Sequence, residues 1–102
     1  MIHVIATIQL HPGVRDRFLD EFRKLVPDVR AENGCLEYGA AVDVDSGLGP
    51  QLPLRPDVVT VVEKWADLDA LRAHAKTPHM GAYRERVKAY VAGTSLQVLE
   101  PA

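Results

Sequence analysis

The sequence predicts an α+β sandwich, four antiparallel strands against a layer of helices, in the order strand, helix, strand, strand, helix, strand. Three observations predict it. Apolar residues recur with period two over residues 2–10, 35–44 and 58–65, as they do in half-buried strands. After the first and third of these segments the period lengthens to that of a helix. The second and third strands follow each other with only a loop between them, so the helical segments flank a central hairpin.

Each element has its own local cause. In residues 2–10, Ile2, Val4, Ala6, Ile8 and Leu10 share one face, and His3, Ile5, Thr7 and Gln9 the other, which reads as a strand with one dry face. His11-Pro12-Gly13 ends it. Val14, Phe18, Phe22, Leu25, Val26 and Val29 then form a stripe at helical spacing. On the opposite side Arg17 is expected to pair with Glu21, and Asp20 with Lys24. Pro27 predicts a bend or break late in that helix, and Asn33-Gly34 a left-handed stop. Residues 35–44 alternate again, with Leu36, Tyr38, Ala40 and Val42 on one face. The segment 46–57 holds Gly47, Gly49, Pro50, Pro53 and Pro56, and loops of that length are usually functional, partner-contacting or mobile.

Residues 58–65 carry the strongest strand signal in the chain. Asp67 is placed to cap a helix from Leu68 to Lys76. Thr77-Pro78 ends it and starts another, with Thr77 as cap and Pro78 at the first helical position. Met80, Tyr83, Val87, Tyr90 and Val91 stripe the second helix, Gly93 closes it, and Leu96–Leu99 form the last strand. Right-handed crossovers on both sides of the hairpin make this a ferredoxin-like βαββαβ sandwich. Its third strand is apolar on both faces, with Val59 and Val61 on one and Val58 and Val62 on the other. Helices cover only one side of the sheet, so a homodimer, sheet against sheet, is expected to cover the other.

Composition narrows the function. The 102 residues fit one domain, 1–102, with a single thin core. Twelve Lys and Arg against fourteen Asp and Glu leave a net charge of −2, without the basic surplus that nucleic-acid binding needs. One cysteine, Cys35, excludes an intramolecular disulfide, and we expect it to be a small packing residue. No apolar run approaches the ~20 residues of a membrane span, and the start does not resemble a signal peptide, so a cytoplasmic protein is expected. His74 and His79 are at the wrong helical spacing to share a metal, and no metal is expected. Gly47-Leu48-Gly49-Pro50 lacks the spacing of a phosphate loop and the helix that follows one, which disfavours a nucleotide cofactor.

A further pattern runs through the chain: V-I-A-T-I at 4–8, L-V-P at 25–27, E-N-G-C-L-E-Y at 32–38, V-x-E-K-W at 61–65, H-A-K-T-P-H-M-x-A-Y at 74–83 and V-L-E-P at 98–101. Together, in this order, these segments resemble the antibiotic biosynthesis monooxygenase (ABM) domain family, and within it the small bacterial quinol monooxygenases. The resemblance covers essentially the whole chain. It implies a dimeric α+β barrel built from two ferredoxin-like units. It also implies oxygenation of hydroxylated aromatics by molecular oxygen with no flavin, haem or metal cofactor. Relatives include haem-degrading enzymes and a signal-molecule isomerase, so family alone does not fix activity.

Cofactor-free oxygenation requires a substrate that supplies its own electrons, which a quinol does far better once a hydroxyl has lost its proton. A phenol with a pKa of about 10 therefore needs a base, and a neutral imidazole is the usual one near pH 7. His74, three residues after Leu71 and beside the apolar stripe, is either that base or a helix histidine bonded to backbone, and the resemblance favours the base. His79, in the first turn after Pro78, sits where the helix N-terminus disfavours its charged form. It reads first as structural and second as a substrate contact. Trp65 and Tyr83 are either pocket walls or core. Tyr38 and Thr7 are candidate polar anchors, and Ile5 and Thr7 lie on the strand face expected to look into the barrel. His3 and His11 read as surface or dimer contacts. The expected function is a cofactor-independent monooxygenase of a small quinol or polyphenol. The alternatives are an isomerase of a small carbonyl compound, which consumes no oxygen, and a dimer that binds quinone without turnover.

Overall fold

The computed structural model describes all 102 residues. The elements are β1 (Ile2–Leu10), α1 (Arg15–Arg30), β2 (Cys35–Ala41), β3 (Val58–Trp65), α2 (Leu68–Ala75), α3 (Pro78–Val87) and β4 (Val91–Leu99). The strands form one sheet in the order β2-β3-β1-β4, with every neighbouring pair antiparallel. This is the ferredoxin-like α+β arrangement that the period changes predict.

Parity along the strands decides what is buried. Ile2, Val4, Ala6, Ile8 and Leu10 of β1 and Val59, Val61, Glu63 and Trp65 of β3 all lie beneath the helices. Phe18, Phe22, Leu25 and Val29 of α1 close over them with Met80, Tyr83 and Val87 of α3. Seven of these side chains are fully buried, Trp65 the largest. On the other face of β3, Val62 remains 38% exposed, so the strand is apolar on both sides with only one side covered.

Four local expectations are corrected. Alternation in β2 is broken by a bulge between Cys35 and Glu37, because Cys35 pairs with Trp65 while Glu37 pairs with Lys64. Leu36 is the extra residue, and it points away from the core, 54% exposed, while Tyr38 keeps its place inside. The strand also stops at Ala41, short of 44. Pro27 does not break α1, which runs on to Arg30. The bond it removes falls in the last turn, where Arg23, which would have accepted it, is exposed to water. The ion pairs on α1 are made at spacing three, Arg23–Asp20 at 3.3 Å and Lys24–Glu21 at 3.1 Å, and Glu21 also holds Arg86 of α3 at 2.8 Å. Finally, α3 ends at Val87 and β4 starts at Val91, so Gly93 is a strand residue opposite Gln9 rather than a helix stop. Pairing with the central strand recruits a Val-Ala-Gly-Thr-Ser stretch whose own strand signal is weak.

The loop after β2 is cross-linked to itself. Arg55 grips Asp43 with Nε and Nη2 at 2.9 Å each, and its backbone N–H donates to the same carboxylate. The guanidinium holds the Asp43 carboxyl down at about 2. The Gln51 side chain accepts from the Ser46 N–H and donates to the Val44 carbonyl. Val44, Leu48, Leu52 and Leu54 nevertheless face solvent.

Gly34 joins α1 to β2 with φ +82°, and a Cβ there would lie 2.6 Å from Ala70 Cβ. Gly34→Ala meets both a left-handed backbone and a clash against α2, and should cost about 2–3 kcal/mol. A drop in melting temperature of roughly 10 °C or more is expected by calorimetry. Gly13→Ala, at φ +80° but with open space around it, should lose clearly less; equal losses would show that the close approach to Ala70 is immaterial.

Candidate active site

A cavity of about 520 Å³ lies between the sheet and the helix layer. Its floor is Val4, Ala6 and Ile8 of β1 with Val61 and Glu63 of β3. Phe22, Tyr38, Leu71, His74, Met80, Tyr83 and Val87 form its walls, and the exposed Arg84, Lys88 and Leu96 line its outer part. The aromatic walls brace each other. Phe22 stacks on Tyr38 with centroids 5.4 Å apart, and Tyr83 meets Phe22 and Phe18 edge-on at 6.2 Å.

One carboxylate organises the polar end. Glu32, in the turn after α1, receives His74 Nδ1 at 2.9 Å on Oε2 and 3.2 Å on Oε1, and His79 Nε2 at 2.7 Å on Oε2. A carboxylate only accepts, so the ring nitrogen facing it carries the proton in both histidines. In the neutral form of the ring, His74 Nε2 then keeps its lone pair. The two histidines are five residues apart and would point about 140° away from each other on one continuous helix. The break at Thr77-Pro78 removes that obstacle. Thr77 donates its hydroxyl to the His74 carbonyl at 2.9 Å and caps α3 by accepting from Met80 N–H, so each ring reaches Glu32 from its own helix. No group of three or more His, Cys, Asp or Glu side chains is arranged to hold a metal ion.

His74 is 5% exposed. Its ring lies over Trp65, with centroids 4.6 Å apart and planes tilted by 36°, and meets Tyr38 edge-on at 5.5 Å. Trp65 is wholly buried behind His74 and donates its indole N–H to Glu63 Oε1 at 2.9 Å. It therefore backs the site without lining the cavity. No fully buried polar side-chain atom lacks a hydrogen-bond partner. His74 Nε2, Glu63 Oε2 and the Tyr38 and Tyr83 hydroxyls have none within the protein, so they are the atoms a bound molecule can reach. Burial pushes both phenols well above the ordinary tyrosine value, reinforced at Tyr38 by the Glu63 charge and opposed at Tyr83 by the smaller effects of Arg86 and Arg84, so they stay protonated donors. Cys35, half-buried, is likewise pushed up by burial and is inert as a nucleophile.

His74, Tyr38, Tyr83, Trp65 and His79 are thus brought together. Ile5 and Thr7 are not. They belong to the uncovered face of β1, where Ile5 pairs with Val62 and Gln97, and Thr7 with Thr60 and Ser95. Successive strand residues point to opposite faces, so Ala6 occupies the cavity floor in their stead. Two residues of the site were missed. Glu63 was legible, since period two in β3 puts it on the dry face with Val61 and Trp65. Glu32 was not, because nothing in spacing connects a post-helix turn to histidines more than forty residues away.

Known proteins are similar to this chain in sequence and in fold. The family model described as antibiotic biosynthesis monooxygenase matches residues 1–86. The chain is 41% identical over 103 residues to "Probable quinol monooxygenase YgiN" of Escherichia coli, covering 99% of this chain and 98% of that one. Among solved structures, PA3566 from Pseudomonas aeruginosa superimposes with a TM-score of 0.80 at 28% identity, covering 99% of this chain and 93% of that one. A crystal structure of an antibiotic biosynthesis monooxygenase does so with a TM-score of 0.79 at 26% identity, covering 100% and 99%.

Burial raises the Glu63 carboxyl above its ordinary value of 4.5, against the smaller opposing effects of the Trp65 hydrogen bond and His74. A raised folded-state pKa means that the protonated form favours folding, and that this contribution is lost as pH rises from the ordinary carboxylate range through the folded value. Glu63→Gln keeps an acceptor for Trp65 and removes the charge. Its melting temperature should match that of the parent near pH 4 and exceed it at pH 7. Parallel melting curves across that window would mean that burial imposes no penalty on the carboxylate.

Proposed function

The chain belongs to the antibiotic biosynthesis monooxygenase family, and on that premise we propose that it oxidises a small quinol or polyphenol with molecular oxygen, without a cofactor and as a homodimer. The observation that carries the reading is His74, a buried imidazole fixed at Nδ1 by Glu32 with Nε2 open to an aromatic-walled cavity.

Nε2 takes the proton of one substrate hydroxyl, and Glu32 stabilises the imidazolium that results, as the carboxylate of a hydrolase triad does for its histidine. The electron-rich arenolate reduces oxygen by one electron, and the radical pair combines at a ring carbon. Loss of water then leaves the hydroxyquinone. One oxygen atom enters the ring and the other leaves as water, with both hydrogens of that water from the substrate and all four electrons from its ring. Tyr38 and Tyr83 donate hydrogen bonds to substrate oxygens, and the apolar walls exclude bulk water. His79 holds Glu32 in place. The uncovered sheet face, with Ile5, Val58, Val62 and Leu99, supports the dimer: its apolar side chains need a cover that the helices do not supply.

Oxygen uptake with a reduced naphthoquinol should exceed autoxidation of the same quinol without protein; uptake no greater than that control would overturn the oxygenase. His74→Ala should lower kcat on the order of 100-fold with KM changed only a few-fold, and Glu32→Gln should fall between. An equal loss of turnover and binding would reduce His74 to packing. Light scattering on the eluting protein should give twice the chain mass, and Val62→Asp should halve it. A monomer at micromolar concentration would sink the barrel.

A further inference from the structure

Glu63 has no task in that proton transfer, and its setting is unfavourable without one. It is 6% exposed among the valines of β3, pairs with Val4 and Tyr38 across the sheet, and has no Lys or Arg beside it. Unpaired carboxyls in apolar surroundings destabilise a fold. The surrounding structure nevertheless fixes this one. Trp65 holds Oε1 at 2.9 Å, and the indole is itself wholly buried beneath His74. The other oxygen, Oε2, has no protein partner, yet no fully buried polar atom is unpartnered. Oε2 must therefore be reached from the cavity that Glu63 lines together with His74.

We propose that Glu63 is a specificity-determining residue that binds a second hydroxyl of the substrate, while His74 engages the first. The inference rests on the quinol reading and deepens it: this site selects dihydroxyarenes over arenes with one hydroxyl. The carboxyl suits both ends of the reaction, accepting from a hydroxyl as carboxylate and donating to a quinone carbonyl as acid. An ether or hydrogen at that position leaves the buried oxygen unsatisfied, and such sites discriminate strongly against the analogue that lacks the group.

The test is anaerobic binding, which needs no turnover. Affinities of 1,4-naphthohydroquinone and of its monomethyl ether are measured by quenching of Trp65 fluorescence, with titration calorimetry as a second readout. The parent protein should prefer the diol by roughly 10- to 100-fold. In Glu63→Ala the preference should fall to within a few-fold, and in Glu63→Gln, which keeps acceptor and donor without charge, it should be partly retained. Melting curves of both variants establish that they are folded, and the isosteric Gln variant keeps the test open where Ala does not fold. A preference unchanged in the folded variants, or no preference in the parent, overturns the proposal, as does failure of the diol to bind. Diol-selective binding that depends on Glu63 but is accompanied by no oxygen uptake would instead refute the oxygenase while leaving the role of Glu63 standing.

Discussion

The site depends on one carboxylate that two imidazoles share. Glu32 follows α1, His74 closes α2 and His79 opens α3, so a single set of hydrogen bonds of 2.7–3.2 Å ties three helices together at the end of the sheet. Its geometry is possible only because the helical segment after β3 is interrupted. Proline at the first position of α3 gives up an N–H that had no helical partner in any case, and the Thr77 hydroxyl accepts from the Met80 N–H. A local rule of helix capping thus places the His74 ring. The same bonds settle its tautomer, which decides whether the nitrogen facing the cavity gives or takes a proton.

Much of the fold was legible because it follows from period and capping. Val4 and Val61 announce their burial by parity, Phe18 and Phe22 by helical spacing, and Asp67 and Thr77 cap the helices they were expected to cap. The failures occur where tertiary pairing overrides local signal. Leu36 sits in phase with Tyr38 in the sequence, and only the bulge against β3 puts it outside. Gly93 looks like a helix stop until β1 claims it as a strand partner. At the site, sequence alone singled out His74 and the aromatic residues, whose chemistry is recognisable by type. Ile5 and Thr7 were misplaced because alternation says that two faces exist without saying which of them holds the cavity. Glu32 was invisible because a bond between residues 32 and 74 is a product of the whole fold.

Around His74, two carboxyl groups live under opposite conditions. Glu32 is surrounded by donors and fixes a ring; Glu63 has one indole N–H bond and is buried, and burial favours its neutral form over the smaller pull of Trp65 and His74. Placing both beside one imidazole gives the cavity an acceptor-rich end, against phenol donors on Tyr38 and Tyr83. That polarity is fixed before anything binds, because the aromatic contacts leave these side chains little freedom to turn. A stable core would have used a valine at 63, so this part of the sheet is arranged for recognition at some expense to stability.

The cross-linked loop after β2 has a consequence for association. A free segment loses about 1–2 kcal/mol of backbone entropy per residue when it is immobilised, and flexible arms therefore grip weakly for the area they bury. Here the fork of Arg55 on Asp43 and the clasp of Gln51 on Val44 and Ser46 have already removed much of that freedom in the single chain. Leu48 and Leu52 are held out on a loop that these contacts restrain, and a surface shaped to receive them would gain their burial with less ordering of the arm that carries them.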